Sequence, residues 1–429
     1  MKIGIIGGSG LEDPNLLEDF KIKEVETPFG KPSSPLTTGR INNIDVVIIS
    51  RHGLKHEITP TEVNNRANVF ALKDEGCKFI IATTAVGSLR EEIKRGDFVI
   101  PDQFIDFTKQ RKLTFFDKFE FGAVHTPMAN PFSEILRKKL IESCEKLKFP
   151  VHKKGTVLTI EGPRFSTRAE SNIFRQWGAH VINMSIAPEC ILANEAEVPY
   201  SVIAMSTDYD CWKEDEEPVT WTEIKYIMKE NAEKVKKIIL ETINSFSREQ
   251  EILKLKDKIR TIPNFPKQGI LFRDINPLLQ DKESLRRFTD IFYERYKDTK
   301  IDMIAGIESR GFILAGILAQ RLNTGLVLIR KPGKLPYETI KQEYSLEYGT
   351  DTVEMHKDSV KLGQKVLLVD DLIATGGTAL ASCNLIKKLG GQIVDCAFII
   401  ELEELGGVEK LKKENNTSFT IMKFKEDEL

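Results

Sequence analysis

The chain lacks the ingredients of several protein classes. Histidine is scarce, with six in 429 residues. Only His52 and His56 stand four apart, as two ligands on one helical face would; Gly53 occupies the place of the Glu in a His-Glu-x-x-His zinc site, and no third ligand is evident, so metal binding there is not expected. The six cysteines (Cys77, Cys144, Cys190, Cys211, Cys383 and Cys396) form no Cys-x-x-Cys pair, and most sit in apolar runs. They read as reduced, buried thiols rather than as a disulfide framework. An excess of either charge is missing too: 62 basic against 64 acidic residues give a formal net charge of −2. No basic stripe suggests a nucleic acid or a membrane surface, so any phosphate binding is expected to be local. No run approaches the ~20 apolar residues of a membrane helix. The start, "KIGII", is strand-like, without a basic region, apolar core and cleavage site. The closing "KEDEL", lacking an entry signal, reads as a solvated charged end. The expected location is cytoplasmic.

What is present is alternation. A length of 429 residues predicts two or three domains. Strand-like runs alternate with helical ones, which predicts an α/β architecture. In the first half the strands are "KIGIIGG", "IDVVIIS", "KFIIATTA", "GDFVIPD", "GTVLTIEG", "HVINMS" and "YSVIAMSTD". Apolar residues from Ile224 to Ile239 then recur at helical spacing. The polar stretch "NSFSREQ" is expected to be a short linker near Ser247, dividing the chain into domains 1–246 and 250–429. The second half runs through "IDMIAGIES", "GLVLIRK", "KVLLVDD" and "DCAFIIELEE". A long polar piece lies between Lys331 and Val360, and such pieces are usually lids or disordered.

The chemistry of the first half gathers where strands stop. "GIIGGSGL" places Ser9 among glycines after a buried strand, a pattern that suits either an anion or a plain strand-ending turn; it fails the Gly-x-Gly-x-x-Gly dinucleotide pattern. Arg51 and His52 end the next strand, Thr84 and Ala85 a third. "TIEGPRFSTRAE" adds Glu161, Arg164 and Phe165, while "INMSIAPE" and "AMSTDYDCW" add Met184, Ser185, Asp208 and Asp210. Ligands of α/β sheets sit beyond the carboxyl ends of strands, so these residues predict an oxyanion beside a hydrogen-bonding heterocycle.

The segments "GGSGLED", "RHG-x-x-H", "TTA-x-GSL", "TIEGPRFS-x-RAES" and "TDYDCWKE" resemble the methylthioadenosine-cleaving branch of the trimeric purine nucleoside phosphorylase family, over nearly all of residues 1–245. The resemblance implies a twisted mixed sheet with flanking helices and phosphorolysis of methylthioadenosine without a cofactor. It implies that Ser9, Arg51, His52, Thr84, Ala85 and Ser185 hold phosphate, that Phe165, Met184 and His125 contact the nucleoside, and that Asp208 and Asp210 are the catalytic acids on the base. The family often has Thr where this chain has Ser9 and Ser185; a hydroxyl is kept at both. An acid at Asp208 can accept from a 6-amino group, where relatives acting on 6-oxopurines place Asn, and an unpaired buried group discriminates strongly.

In the second half, "VLLVDDLIATGGT" puts Asp370 and Asp371 at a strand end and Ala374, Thr375, Gly376, Gly377 and Thr378 at the entry to a helix. A helix start offers amides and the positive end of its dipole to a phosphate. The two acids suit ribose hydroxyls or a bound magnesium ion. No Gly-Lys-Ser/Thr follows, so this is not a Walker loop. With "IPNFPKQGILFRDINPLL", "GIESRGFILAGILAQ", "LIRKPGKLP" and "EYSLEYG", it resembles the adenine branch of the type I phosphoribosyltransferase family, over about residues 250–429. That implies a mainly parallel sheet, Mg2+ carried with phosphoribosyl pyrophosphate, Leu271 and Arg273 beside adenine, Arg310, Lys331 and Lys334 on the pyrophosphate side, and Glu347 as the acid-base group. Pro332 stands where the family commonly has Arg.

Together the halves imply a salvage enzyme whose first site releases adenine and whose second captures it as AMP. The rival reading keeps the phosphorylase and makes the second half a purine- or phosphoribosyl-pyrophosphate-sensing module. Expected partners are these small molecules and further copies of the chain, as a trimer or a hexamer.

Overall fold

The computed structural model describes residues 1–7, 17–119, 122–214, 221–345 and 350–425. By contacts the chain divides into two compact units, Met1–Glu249 and Gln250–Leu429.

The first unit is built on a mixed sheet of eleven strands among the described residues. Its centre is the strand Phe79–Ser88, paired in parallel with Lys2–Gly7 and Tyr200–Tyr209 and antiparallel with Val181–Asn183. Near-continuous apolar runs arise because both faces are covered: Val47 and Ile49 join one buried cluster, while Val46 and Ile48 join another. The apolar-run strands form as expected. Glu18–Lys23 was not legible: it has only two apolar residues, Phe20 and Ile22, and both are exposed.

The expected linker is not one. The helix Trp221–Lys256 runs straight through Asn244–Gln250. Ile239, Ile243 and Phe246 keep a helical spacing across the polar stretch, and all three are buried with Val235 and Ile238.

The second unit carries a five-stranded, wholly parallel sheet among the described residues, in the order Gly325–Ile329, Met303–Ile307, Lys365–Ile373, Gln392–Leu402, Ser418–Phe424. Leu367 and Val369 face one cluster, Leu368 and Val366 the other. Arg260–Pro263 pairs with Leu271–Asp274 as a separate hairpin. The long polar piece contains a second one: Thr339–Ser345 pairs antiparallel with Thr350–His356. Both chain units are therefore α/β, one with a mixed sheet and the other with a parallel one. No helix among the described residues is long and apolar enough to cross a membrane.

Candidate active sites

A cavity of about 380 Å³ opens at the strand ends of the first unit. Arg51, His52, Thr84, Ala85, Phe165, Met184, Ser185, Asp208 and Asp210 all line it. Ser9 lies outside the described residues. His125 is exposed, with its ring 6.2 Å from that of Phe119, and does not line the cavity.

One end of the cavity is a hydroxyl cluster beside a buried cation. Thr84 Oγ1 and Ser185 Oγ are 3.2 Å apart, and Asn183 donates to Thr84. The Arg51 guanidinium is fixed from behind by a fork to the fully buried Glu189 carboxylate and by donation to Thr83 O at 2.8 Å. The Tyr200 hydroxyl donates to the same carboxylate at 2.8 Å. Burial and Arg51 together hold the His52 imidazole down at about 4, so it is neutral at ordinary pH. His52 Nδ1, 2.9 Å from Ile58 O, must carry the proton, since a carbonyl only accepts.

The other end holds the two acids. The strand Tyr200–Tyr209 has a bulge between Ser206 and Asp208, the usual device for re-aiming a side chain at a site. Thr207 Oγ1 donates to Asp208 Oδ1 at 2.7 Å. Burial, offset in part by that bond and reinforced by the charge of Asp210, pushes Asp208 up to about 6. Ser166 Oγ lies 2.8 and 2.7 Å from the two Asp210 oxygens. A Cβ on Gly87 would crowd Ile182 Cγ2 at 3.2 Å, while meeting Asp208 Oδ2 and Asp210 Cβ at an ordinary 3.5 Å.

Sequence reasoning missed Ser166, Glu189 and Tyr200. Ser166 lies one residue past Phe165, inside a motif already singled out. Glu189 and Tyr200 read as ordinary helix and strand residues, and only the fold shows what they touch. Glu161 is not in the cavity; it accepts from the Lys109 and Gln110 amides at 2.9 Å and from Arg111 and Thr61. Those bonds, outweighing burial, take it down to about 2.

In the second unit the strand Lys365–Ile373 delivers Asp370 and Asp371, and the helix Gly377–Lys388 starts just beyond them. Gly376 has φ +74°, and a Cβ there would meet Gly407 O at 2.8 Å. A Cβ on Gly407 would run into Ala374 O. The backbone of the turn thus exists because two glycines meet, and Gly407 carried no sequence signal. Burial and the charge of Asp371 drive the Asp370 carboxyl well above its usual range. Burial also raises Asp371, against the pull of Arg310.

Arg310 Nε stands 3.0 Å from Asp371 Oδ2, yet that buried oxygen has no partner in hydrogen-bond geometry. An acid pair with one such oxygen fits hydroxyl donors or a divalent cation. Among the described residues no group of three or more His, Cys, Asp or Glu is placed to hold a metal, so the ion would take its other ligands from phosphate and water.

Phe272, next to Leu271, lies under the Arg310 guanidinium at 5.1 Å. The Arg273 side chain turns away: it is buried, donates to Lys425 O at 3.1 Å and packs on Phe424. Lys331 Nζ is held by Asp351 and lies 3.0 Å from Tyr344 Oη. The turn after it is clamped by Glu308, which accepts from the Lys331 amide at 3.0 Å, and by Glu354, which accepts from the Gly333 amide at 2.8 Å. Lys334 is exposed, and its carbonyl accepts from Arg330. Glu347 lies outside the described residues.

Residues 2–244 match the phosphorylase superfamily, and residues 274–426 match the phosphoribosyl transferase domain. The chain belongs to the phosphorylase superfamily and joins to it a phosphoribosyl transferase domain. Its first unit is similar to S-methyl-5'-thioadenosine phosphorylases: that of Xenopus tropicalis is 55% identical over 247 residues, 57% of this chain and 88% of the relative. That of Drosophila melanogaster is 48% identical over 262 residues, 60% of this chain and 91% of the relative. Among solved structures, methylthioadenosine phosphorylase from Schistosoma mansoni in complex with adenine matches with a TM-score of 0.55 and 42% identity, covering 58% of this chain and 92% of that one.

Proposed function

We propose that residues 1–246 phosphorolyse S-methyl-5'-thioadenosine to adenine and 5-methylthioribose 1-phosphate, and that residues 250–429 convert adenine and phosphoribosyl pyrophosphate to AMP and pyrophosphate. The observation that carries the first half is a single cavity with hydroxyls and a buried Arg at one end and two acids at the other. The relatives' names support the substrate.

In this reading phosphate lies against Arg51, His52, Thr84 and Ser185, with Ser9. One of its oxygens attacks the anomeric carbon as the bond to the base nitrogen breaks. The base leaves with the electron pair, and Asp208, poised near 6, shares a proton with its imidazole-ring nitrogen. Asp208 also accepts from the 6-amino group, with Asp210, fixed by Ser166, holding the base beside it; Phe165 and Met184 cover the sugar. Phosphate opposite an oxocarbenium-like sugar acts by position and charge.

In the second unit Ala374 to Thr378 hold the 5-phosphate, and Asp370 and Asp371 take the ribose hydroxyls. Arg310, Lys331 and Lys334 face the pyrophosphate, and the backbone of Leu271 and Arg273 borders adenine. Magnesium, bound with the pyrophosphate, supplies charge neutralisation. Glu347 serves as the acid-base group. We place the enzyme in the cytoplasm as a trimer or hexamer, with His125 reaching a neighbour's cavity.

The test is direct. Purified chain with methylthioadenosine and phosphate releases adenine, and with adenine, magnesium and phosphoribosyl pyrophosphate it releases AMP. Binding of phosphoribosyl pyrophosphate without AMP would make the second unit a sensor instead.

A further inference from the structure

The hairpin Thr339–Ser345/Thr350–His356 connects the two phosphate-facing elements of the second unit. Tyr344 and Asp351 stand directly opposite each other across its antiparallel ladder. Tyr344 Oη lies 3.1 Å from Asp351 Oδ2, 3.0 Å from Lys331 Nζ and 3.0 Å from Thr378 Oγ1. The Asp351 carboxylate is also ion-paired with Lys331. One hydroxyl and one carboxylate therefore satisfy both the basic turn and the start of the helix Gly377–Lys388. They do so with the atoms an oxyanion would present: a negative oxygen on the ammonium and an acceptor on the hydroxyl.

We propose that Asp351 is an internal counter-anion that occupies Lys331 in the place of pyrophosphate, with Tyr344 carrying the same restraint to Thr378. The inference rests on the phosphoribosyl-transfer reading of this unit. Pyrophosphate entering the site takes over Lys331, and the hairpin gives up its hold on both elements in the same event. Asp351 and Tyr344 are positioning residues: they act through Lys331 and Thr378 and touch no reacting atom.

The pair is half-exposed, so its competition is expected to cost the ligand about fivefold in affinity, the upper range for a screened ion pair. The measurement is calorimetric titration of the full chain with magnesium pyrophosphate and, separately, with magnesium phosphoribosyl pyrophosphate. Asp351→Asn should tighten pyrophosphate about fivefold, and Tyr344→Phe should shift it the same way by about twofold. Adenine affinity should not move in either. In a Lys331→Met background, Asp351→Asn should have no effect on pyrophosphate, because the cation over which the two compete is gone.

If the unsubstituted chain binds pyrophosphate while Asp351→Asn leaves its affinity unchanged or weakens it, the counter-anion role is overturned and the phosphoribosyl-transfer reading stands. An equal gain in the Lys331→Met background would also overturn it, since the effect would be general repulsion. A chain that binds neither pyrophosphate nor phosphoribosyl pyrophosphate with magnesium defeats both readings at once.

Discussion

The two units bring a candidate oxyanion site to the carboxyl ends of buried strands by opposite means. In the first, the groups come from strand ends scattered between Arg51 and Asp210, and all act through side chains around one cavity. In the second, they are consecutive, Asp370 to Thr378, and rely on backbone amides at a helix start. Burial raises the acids of both, Asp208 in the first and Asp370 and Asp371 in the second. In the second, a hairpin also reaches across to Thr378.

The sharpest way to break the comparison is to remove one acid. Asp208→Asn should lower kcat/KM for methylthioadenosine by about 10²–10⁴, the range of a lost acid-base group, and leave AMP formation from adenine unchanged. A parallel loss of both activities in folded protein would mean that the two sites are not separate.

Next comes the scaffold of Arg51. Glu189→Gln takes the charge from a fully buried pair, which costs about 3–5 kcal/mol. Thermal unfolding should show the loss. The KM for phosphate should rise more than that for the nucleoside, because Arg51 lies at the hydroxyl end only. Equal rises would assign Glu189 to folding alone.

The desolvation of Asp208 has its own signature in stability. Its carboxyl goes from an ordinary 3.8 to about 6 on folding, so the folded chain holds a proton that the unfolded chain has released. Below about pH 4 both states are protonated and burial costs nothing through this group. Stability is lost as pH rises towards 6, and above it the full cost, up to about 3 kcal/mol, is borne by the folded state. Asp208→Asn cannot ionise, so its stability relative to the unsubstituted chain should improve between pH 4 and pH 8. A constant difference across that range would show that the carboxyl is not desolvated.

The smallest effect sharpens the second site. Gly407→Ala forces a Cβ against the carbonyl of Ala374, an overpacking cost of about 1–3 kcal/mol. Affinity for phosphoribosyl pyrophosphate should fall about tenfold or more, with phosphorolysis untouched. Unchanged affinity would show that the turn tolerates the shift.

The same contrast explains what could be read before folding. The contiguous turn Asp370–Thr378 is visible because neighbours in sequence make the site. The strand ends of the first unit are visible one by one, since long apolar runs stop at Arg51, Thr84 and Asp208. Glu189, Tyr200, Gly407, Tyr344 and Asp351 were illegible: each acts on a group remote in sequence, and its own neighbourhood looks ordinary. The linker expected near Ser247 failed for a related reason. Polar residues outnumber apolar ones there, yet Ile243 and Phe246 continue the buried face, with Thr242 and Ser247 buried beside them. The hairpin beyond Lys331 was hidden because its strands carry polar side chains on a partly exposed surface.

The central claim is that adenine leaves one site and is consumed at the other. Methylthioadenosine labelled in the purine ring, incubated with the chain, phosphate, magnesium and phosphoribosyl pyrophosphate, tests it in one chromatogram. The label should end in AMP with the unsubstituted chain, stop at adenine with Glu347→Ala, and stay in methylthioadenosine with Asp208→Asn. Label accumulating as adenine in the unsubstituted chain, with every co-substrate present, would contradict the account.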